Sequence, residues 1–468
     1  MMDMSYAAVM MRSKDIMRSA LRMDYDLFES GGIAFDYEGM MGATGLNAED
    51  AQNIQRDYAI GNTPLIELKN ITTMARKCAK PGFGARILVK DEAANPSGSF
   101  KARRAATSVF MAKKLGFKGV VTATSGNYGA AVASVCAMAG LKCIVVQECY
   151  DSRGVGQPEI IEKARKCEAF GAEVVQLTVG PELFYYFLRL LEETGYFNAS
   201  LYTPYAILGV ETLGHEIAAQ CQQVPGRFPD AVVATNAGGG NLTGTARGLR
   251  KAGCSCPVIG ASVDLKGLHM ASDTQFNRKS FTTGHTGFGM PYASWPDRSD
   301  VPRSAARPLR YMDRYVLVTQ GDVFYMTEVL ASLEGLERGP AGNTSLAAAF
   351  SLAQDMREDE CIVVQETEYT GAGKHINPQL SFARQRGVKV LYGGPRDEVP
   401  GENIILPDHP GKIKAVDADL DHLRESLIRH AVAARPGKVR PEDILFLSEE
   451  TNTDEEFVMN VLKKEGAL

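Results

Sequence analysis

The stretch Asn95-Pro96-Ser97-Gly98-Ser99-Phe100-Lys101-Ala102-Arg103 decides how the rest of the chain is interpreted. The apolar run Ile87-Leu88-Val89 before it is typical of a buried strand. An Asn-Pro and a Ser-Gly dipeptide then end that strand, because proline fixes φ and glycine permits positive φ. We predict a helix from Ser99 onward, with the Ser99 hydroxyl as its cap and Phe100 anchoring it to the core.

The predicted helix places Lys101 in its first turn, at the positive end of the helix dipole. A lysine that is held there and partly removed from water loses its proton more readily than a solvated lysine. The neutral amine is the form that Schiff-base chemistry requires. An ordinary solvated lysine is the simpler interpretation, since most lysines are exposed, and the other motifs of the chain decide between the two.

Length and composition bound the possible functions. The chain has 468 residues, of which 45% are hydrophobic and 23% charged, and its net charge is −5. These values are typical of globular proteins and predict two to four domains, without the basic field that favours nucleic acid. No apolar run approaches the length of a membrane span. The nine cysteines lie mostly in apolar patterns without zinc-site spacing, so we expect reduced cysteines, a cytoplasmic protein and no metal site.

Strand and helix patterns alternate after the lysine motif, with short connections between them. We predict strands at 119–124, 141–147, 173–179, 231–234, 257–263, 361–364 and 388–391. We predict helices at 101–115, 130–139, 157–170, 242–251, 323–333 and 345–355. This alternation indicates an α/β fold in which helices cover parallel sheets.

Two further segments lack this alternation. Residues 267–321 are irregular and rich in Gly, Pro, Arg and aromatic residues, and an irregular stretch of that length is usually functional. After Gly394 the chain becomes polar and rich in proline, and we predict a last helix opened by the capping box Thr453-Asp454-Glu455-Glu456.

One loop at the carboxyl end of a predicted strand has the composition of a phosphate site. Gly238-Gly239-Gly240-Asn241 leads into a helix. Its glycines let backbone N–H groups approach an anion, and the helix start adds positive potential. The loop fits neither the P-loop nor the dinucleotide motif, since Thr243 stands where the third glycine is due. Tight packing alone is the alternative explanation.

Two more loops follow predicted strands, and open α/β sheets bind ligands at such positions. Ser125-Gly126-Asn127-Tyr128-Gly129 offers a hydroxyl, an amide and a helix N-terminus, which suit a carboxylate or a phenolic ring oxygen. Thr370 begins the other loop, and its hydroxyl can meet a ring nitrogen. A capped turn and an ordinary polar loop residue are the simpler alternatives. Phosphate, ring oxygen, ring nitrogen and amine are together the groups that pyridoxal 5′-phosphate requires.

These motifs resemble a known family. Residues 95–101 resemble the lysine motif of fold-type II pyridoxal-phosphate enzymes, the tryptophan synthase β family, and most closely that of threonine synthases. Ser125-Gly126-Asn127 resembles the asparagine loop of these enzymes, and residues 238–243 resemble their phosphate loop. Thr370-Gly371-Ala372-Gly373 resembles the segment whose threonine bonds the pyridine nitrogen. The order and spacing of all four motifs agree over residues 61–395.

The resemblance implies two open twisted sheets covered by helices, with N- and C-terminal extensions. It implies a helical extension at 1–60, a large cofactor-binding domain at 61–94 and 206–395, a small mobile domain at 95–205 and a tail at 396–468. It implies that Lys101 is catalytic and binds the cofactor. Cofactor binding is further implied for Asn127, Gly238, Gly239, Gly240, Asn241, Thr243 and Thr370, and substrate binding for Ser125, Gly126 and Tyr128.

A narrower resemblance covers nearly the whole chain. Residues 32–40, 91–104, 147–154, 281–289 and 366–375 resemble the 2-amino-4-oxopentanoate thiolase β-subunit family. That family implies cleavage of 2-amino-4-oxopentanoate with coenzyme A to acetyl-CoA and alanine, within ornithine degradation. It also implies a small α subunit as partner, and a dimer or higher oligomer.

Two other interpretations remain open at this point. One is an ammonia-lyase, β-replacement or threonine synthase-like enzyme that acts on a hydroxy- or diamino acid and needs no acyl acceptor. The other is a non-catalytic subunit that keeps the fold, although the chain retains both Lys101 and its glycine loop.

For coenzyme A, we expect an entrance formed by Trp295 and the arginines Arg298, Arg303, Arg307, Arg310 and Arg314. The alternative is a solvated face on which Asp297, Asp300 and Asp313 pair with these arginines. His285 and Tyr128 are candidates for proton transfer.

Overall fold

The structure is a computed structural model that describes residues 3–124, 126–224, 226–267, 274–282, 300–369, 376–435 and 437–468. Its helices are α1 Tyr6–Met11, α2 Ser13–Leu21, α3 Tyr37–Gly42, α4 Ala48–Asp57, α5 Lys69–Cys78, α6 Lys101–Lys114, α7 Asn127–Ala139, α8 Pro158–Ala169, α9 Glu182–Thr194, α10 Pro204–Gln223, α11 Gly240–Lys251, α12 Pro308–Tyr311, α13 Gln320–Glu334, α14 Asn343–Ala353, α15 Ile376–Gln385, α16 Leu420–Ala434, α17 Pro441–Thr451 and α18 Glu455–Lys464. Its strands are β1 Leu65–Glu67, β2 Arg86–Asp91, β3 Gly119–Thr124, β4 Lys142–Tyr150, β5 Glu173–Thr178, β6 Phe197–Asn198, β7 Ala231–Thr235, β8 Val258–Val263, β9 Arg314–Val318, β10 Cys361–Glu366, β11 Lys389–Gly393, β12 Asn403–Pro407 and β13 Val416–Asp417.

Two sheets organise the molecule. The smaller sheet has the strand order β5-β4-β3-β6, and all its pairs are parallel. The larger has the order β1-β2-β10-β7-β8-β9-β13, with parallel pairs from β2 to β9 and an antiparallel strand at each edge. The central strands β3, β8 and β10 are buried along their whole length because helices cover both faces of each sheet. The predicted α/β architecture with two helix-covered sheets is therefore confirmed.

The register of the larger sheet brings its loops together. Asp91 at the end of β2 is paired with Glu366 at the end of β10. Gln365 of β10 is in turn paired with Ala234 of β7. The loops that follow these three strands, which carry the lysine, Thr370 and glycine motifs, therefore begin at one edge of the sheet.

The start of α6 differs from our prediction. The helix begins at Lys101 without a side-chain cap, and Phe100 occupies the capping position in a helical conformation. The Ser99 hydroxyl is buried and has no hydrogen-bond partner among the described residues. Instead, Ser99 pairs with Glu368 through the backbone, so its conformation is determined by that bridge rather than by the helix.

Other corrections concern segments without a clear pattern. Part of the stretch predicted to be irregular, 267–321, forms α12 and β9. Residues after 395, predicted as a polar tail, form β12, β13 and the helices α16 to α18. The side chain that caps α18 is Asp454, which accepts a hydrogen bond of 2.8 Å from Phe457 N, so the helix begins one residue later than the predicted box. The domain boundaries stay a prediction.

The two ends of the chain pack on each other. The N-terminal region contains α1 to α4, as the predicted helical extension requires. Ile33 packs into the apolar cluster of the C-terminal helices. Asp443 of α17 accepts hydrogen bonds from Ile33 N at 2.8 Å and Ala34 N at 2.9 Å. Within the described part of the chain, every helix is too short or too polar to cross a membrane.

Candidate active site

The lysine loop and the segment before Thr370 are joined through their backbones. Phe100 N donates to Thr367 O at 3.1 Å, and Tyr369 N donates to Gly98 O at 2.8 Å. Gly98 has a φ of 77°, and a Cβ on it would lie 2.6 Å from Tyr369 O, so only glycine fits there. This pairing holds the residues just before Lys101 against the segment 367–369. Thr370 itself lies outside the described residues.

Lys101 is placed as the sequence predicts, at the first position of α6. Its side chain is partly buried, and Nζ lies 5.0 Å from the centroid of the Phe100 ring. Burial lowers the pKa of Lys101 to about 8, Glu368 opposes this shift, and the nearby cations Lys163 and Arg104 add to it. A substantial fraction of the amine is therefore neutral close to pH 8, which makes Lys101 a nucleophile.

A second buried lysine, which the sequence analysis missed, lies close to Lys101. Lys163 Nζ on α8 is 2.7 Å from Glu159 Oε1, and both residues are buried. A Cβ on Gly126 would lie 2.7 Å from Lys163 Cδ, so this side chain packs against the asparagine loop. In the sequence the pair has the i,i+4 spacing of a common surface ion pair, and nothing local indicates its burial.

The asparagine loop connects the smaller sheet to α7. Asn127 is the first residue of α7, and Gly126 N donates to Thr124 Oγ1 at 2.9 Å. Tyr128 is only 1% exposed and packs in the apolar cluster around α6 and α7, where burial raises the pKa of its phenol above the usual value. Ser125 lies outside the described residues. Substrate binding by Ser125, Gly126 and Tyr128 stays a prediction.

The glycine loop follows β7 and opens α11. Gly239 precedes the helix with a φ of 80°, and a Cβ on it would lie 2.3 Å from Pro308 Cγ. A Cβ on Gly238 would lie 1.6 Å from Tyr202 Oη. Neither position therefore admits a side chain. The first backbone N–H groups of α11 lack partners within the helix, as at any helix start, and can bind an anion.

Two side chains after the glycines support the loop. Asn241 Oδ1 accepts a hydrogen bond of 2.8 Å from Gln365 Nε2, which ties α11 to β10. Thr243 Oγ1 donates to Gly239 O at 2.8 Å and accepts from Arg307 N at 2.9 Å. Both side chains hold the loop in place through protein contacts, and a direct contact of either with the cofactor stays a prediction.

Asn236, between β7 and the glycine loop, was also missed. It is 0% exposed, and neither its Oδ1 nor its Nδ2 has a hydrogen-bond partner among the described residues. A buried amide without partners is destabilising, so this side chain is suited to a ligand that supplies polar atoms. A reactive amine, an anion-binding helix start and an unpartnered amide together fit pyridoxal 5′-phosphate.

Arg104 is the third residue of the site that the sequence analysis missed. It lies one turn along α6 from Lys101 and is buried, and its guanidinium reaches the start of α11. In the sequence it is the second of two consecutive arginines in a predicted helix, and nothing local distinguishes it from a surface residue.

The arginines expected at a coenzyme A entrance are engaged in the protein. Arg303 is buried, with its guanidinium 4.9 Å from the Phe35 ring centroid. The ion pairs of the others are Arg307 with Glu38 and Glu450, Arg310 with Glu449, and Arg314 with Asp417. The printed pairs of Arg307, Arg310 and Arg314 thus use acids from distant segments. The coenzyme A entrance and the alternative of a solvated, paired face both stay predictions. Trp295, Arg298, Asp297 and His285 lie outside the described residues.

Comparisons with known proteins place the chain in a family. The family model described as pyridoxal-phosphate dependent enzyme matches residues 56–368, more than half of the chain. A 2-amino-4-ketopentanoate thiolase beta subunit from Acetoanaerobium sticklandii is 69% identical over 99% of both chains, and one from an unknown prokaryotic organism is 63% identical over 99% of both. Among solved structures, a threonine deaminase from T.th. has a TM-score of 0.53 at 24% identity, over 71% of this chain and 99% of its own, which shows the fold. The chain therefore belongs to the pyridoxal-phosphate dependent enzyme family, within its group of 2-amino-4-ketopentanoate thiolase beta subunits.

Proposed function

We propose that the chain is the catalytic β subunit of a thiolase that cleaves 2-amino-4-oxopentanoate with coenzyme A to acetyl-CoA and alanine, in ornithine degradation. The observation that carries this proposal is the 69% identity over 99% of the chain to a protein named as a 2-amino-4-ketopentanoate thiolase beta subunit. At that identity and coverage, both the fold and the arrangement of the site are expected to be shared.

The residues around Lys101 divide the work of holding the cofactor. Lys101 Nζ would bond the cofactor aldehyde, and the backbone N–H groups of residues 238–241 would bind its phosphate. Asn127 would meet the ring oxygen and Thr370 the ring nitrogen. Ser125, Gly126 and Tyr128 receive the carboxylate of the substrate. When bound, pyridoxal 5′-phosphate supplies an electron sink that stabilises negative charge on the substrate next to its amine.

The chain then moves protons at defined substrate atoms. Lys101, with its lowered pKa, takes the proton from Cα. The sulfur of coenzyme A adds to the C4 carbonyl, and the bond between Cβ and C4 breaks. The acetyl group remains on sulfur, Cβ takes the proton that the thiol has lost, and Lys101 returns its proton to Cα, so alanine and acetyl-CoA account for every atom.

The alternative of an ammonia-lyase or β-replacement enzyme is not favoured, because it does not explain the full-length match to thiolase β subunits. A non-catalytic subunit is not favoured either, since the chain keeps Lys101 at the start of α6 and the glycine loop before α11. The name of these relatives implies an α subunit, and we propose a small α subunit as the partner, in a cytoplasmic complex that is a dimer or larger.

The test is to express the chain alone and together with the small α subunit, and to assay both preparations. We expect the two chains to co-purify and to form acetyl-CoA and alanine in equal amounts from 2-amino-4-oxopentanoate, only when coenzyme A is present. Serine, threonine and diaminopropionate serve as comparison substrates. Release of 2-oxo acid from any of these without coenzyme A, and no acetyl-CoA from 2-amino-4-oxopentanoate, would overturn the proposal.

A further inference from the structure

Arg104 is a buried cation for which the described part of the chain offers no carboxylate partner. Its side chain is 3% exposed, and no Asp or Glu among the described residues forms an ion pair with it. Nη1 donates to Leu201 O at 3.3 Å, and Nε has no hydrogen-bond partner among the described residues. An arginine keeps its charge in proteins, and a buried charge without a counterion is strongly unfavourable. The arrangement is therefore incomplete without an anion.

The guanidinium of Arg104 lies beside the start of α11. A Cβ built on Gly240 would lie 2.9 Å from Arg104 Nη2 and 3.3 Å from Cζ. Gly240 is the first residue of α11, a helix of 12 residues whose start provides free N–H groups and positive potential. On the other side, Arg104 Cζ lies 5.0 Å from the Phe100 ring centroid, which fixes the direction of the side chain.

The same helix face carries Lys101. Residues three apart on a helix are neighbours, so Lys101 and Arg104 project to the same side of α6. An anion held between Arg104 and the start of α11 therefore belongs to a molecule that also reaches the reactive amine. Pyridoxal 5′-phosphate carries an aldehyde for that amine and a phosphate for the helix start.

We propose that Arg104 binds the phosphate of pyridoxal 5′-phosphate, together with the glycine loop at the start of α11. This proposal rests on the cofactor site described above. The planar guanidinium can match a phosphate bidentately through its Nε and Nη2 edge, and such charge-assisted hydrogen bonds are among the strong ones. The carboxylate of the amino-acid substrate and the phosphates of coenzyme A are the other anions that could pair with Arg104, and the test separates them.

The experiment compares two forms of the vitamer on cofactor-free protein. Wild type, Arg104→Gln and Arg104→Lys are titrated with pyridoxal 5′-phosphate and with pyridoxal, which lacks the phosphate, and binding is followed by absorbance. Arg250→Gln is the matched control, because Arg250 is an exposed arginine at the far end of α11. We expect Arg104→Gln to weaken binding of pyridoxal 5′-phosphate about 10- to 100-fold and binding of pyridoxal less than about threefold. Arg104→Lys should lie between.

The outcomes separate the explanations. If Arg104→Gln weakened the binding of pyridoxal 5′-phosphate and of pyridoxal equally, the proposal would be overturned and Arg104 would have a structural role. Unchanged affinity for pyridoxal 5′-phosphate with a raised KM for the amino acid or coenzyme A would also overturn it and assign Arg104 to that substrate. Failure of Arg104→Gln to fold would overturn it as well, since a residue that waits for a ligand is not needed for folding. Wild type that binds neither ligand would instead refute the cofactor site itself.

Discussion

Two consecutive arginines of α6 illustrate two uses of a buried charge. Arg103 is 0% exposed and Arg104 is 3% exposed. Arg103 donates two hydrogen bonds to Glu92, at 2.7 and 2.8 Å, and two to Glu216, at 2.8 and 2.7 Å. Arg104 has no carboxylate partner in the described part of the chain. A helix turns about 100° per residue, so the two side chains leave α6 in different directions.

The difference shows that one side of α6 stabilises the fold and the other side binds the ligand. The ion network of Arg103 ties α6 to α10 and to the segment after β2, and it is complete within the protein. The side with Lys101 and Arg104 faces the glycine loop and is completed by a ligand. A satisfied buried charge thus indicates a framework, and an unsatisfied one indicates a binding site.

The largest effect is expected on the ligand side, from Lys101→Ala. Loss of the base alone should reduce thiolase activity about 100- to 10,000-fold, and the absorbance of the lysine-bound cofactor should disappear. Activity is measured as acetyl-CoA formation, and the cofactor bond by borohydride reduction followed by mass analysis.

The matched control for that variant is Lys114→Ala, because Lys114 is an exposed lysine at the end of the same helix. It should retain wild-type absorbance and activity. An unchanged cofactor spectrum in Lys101→Ala would remove Lys101 from the chemistry, and the ligand side of α6 with it.

The second effect is expected on the framework side, from Arg103→Met. It leaves the buried Glu92 without its cation and leaves Glu216 with Lys90 alone, which should lower the free energy of unfolding by about 3–5 kcal/mol. Denaturant unfolding of the cofactor-free protein measures this. Arg104→Met is the comparison and should not lower the free energy of unfolding, because it removes an uncompensated charge. Equal losses in both variants would contradict the distinction between the two arginines.

Some of the fold could be predicted because its signals are local. Strand β3 was predicted at 119–124 and occurs at Gly119–Thr124, since a short run of β-branched residues between glycine turns leaves few alternatives. The glycine loop and the position of Lys101 are also local patterns. Strand β9 was missed because Arg314 and the arginines before it make that segment look like a polar surface.

What could not be predicted depends on partners that are distant in sequence. Arg307 and Glu450 form a buried ion pair although 143 positions separate them, so the arginine-rich stretch looked like an open basic surface. In the sequence, nothing distinguishes Arg103 from Arg104, because both are arginines within one predicted helix. The two differ only in what the fold places around α6. Arg103 meets the carboxylates of Glu92 and Glu216, whereas Arg104 meets Gly240 and is left for a ligand.

The third effect is expected from a change in the glycine loop, on the side of α6 that faces the ligand. Gly239→Ala forces an alanine into a φ of 80° and brings a Cβ within 2.3 Å of Pro308 Cγ. The loop should relax away from its binding conformation, and the affinity for pyridoxal 5′-phosphate should fall about tenfold or more. Gly42→Ala is the control, since no atom lies within 4 Å of a Cβ there. Wild-type affinity in Gly239→Ala would show that the start of α11 does not hold the phosphate.

The fourth prediction concerns pH. With its pKa at about 8, the amine of Lys101 loses neutral fraction about tenfold for each unit below that value. The rate of cofactor uptake by cofactor-free protein, followed by stopped-flow absorbance, should rise with pH and level off above about 8. Between about 8 and the ordinary lysine value of 10.5, the unfolded chain binds the proton and the folded chain does not, so Lys101 also makes stability rise with pH there. A rate that keeps rising to pH 10 would mean that burial does not activate Lys101.

The smallest effect is expected from Arg310→Ala, which extends the comparison to a charge that is both paired and partly exposed. Arg310 Nη1 lies 2.7 Å from Glu449 Oε2, and water reaches both side chains. Such pairs contribute about 0–1 kcal/mol, so the free energy of unfolding should change by no more than that. Arg310 belongs to the arginine stretch where a coenzyme A entrance is predicted, so the KM for coenzyme A is measured on the same variant. It should not change, because the guanidinium of Arg310 is already paired with Glu449. A KM raised about tenfold at unchanged stability would return this surface to the substrate, and exposure rather than pairing would then decide which arginines of this chain serve function.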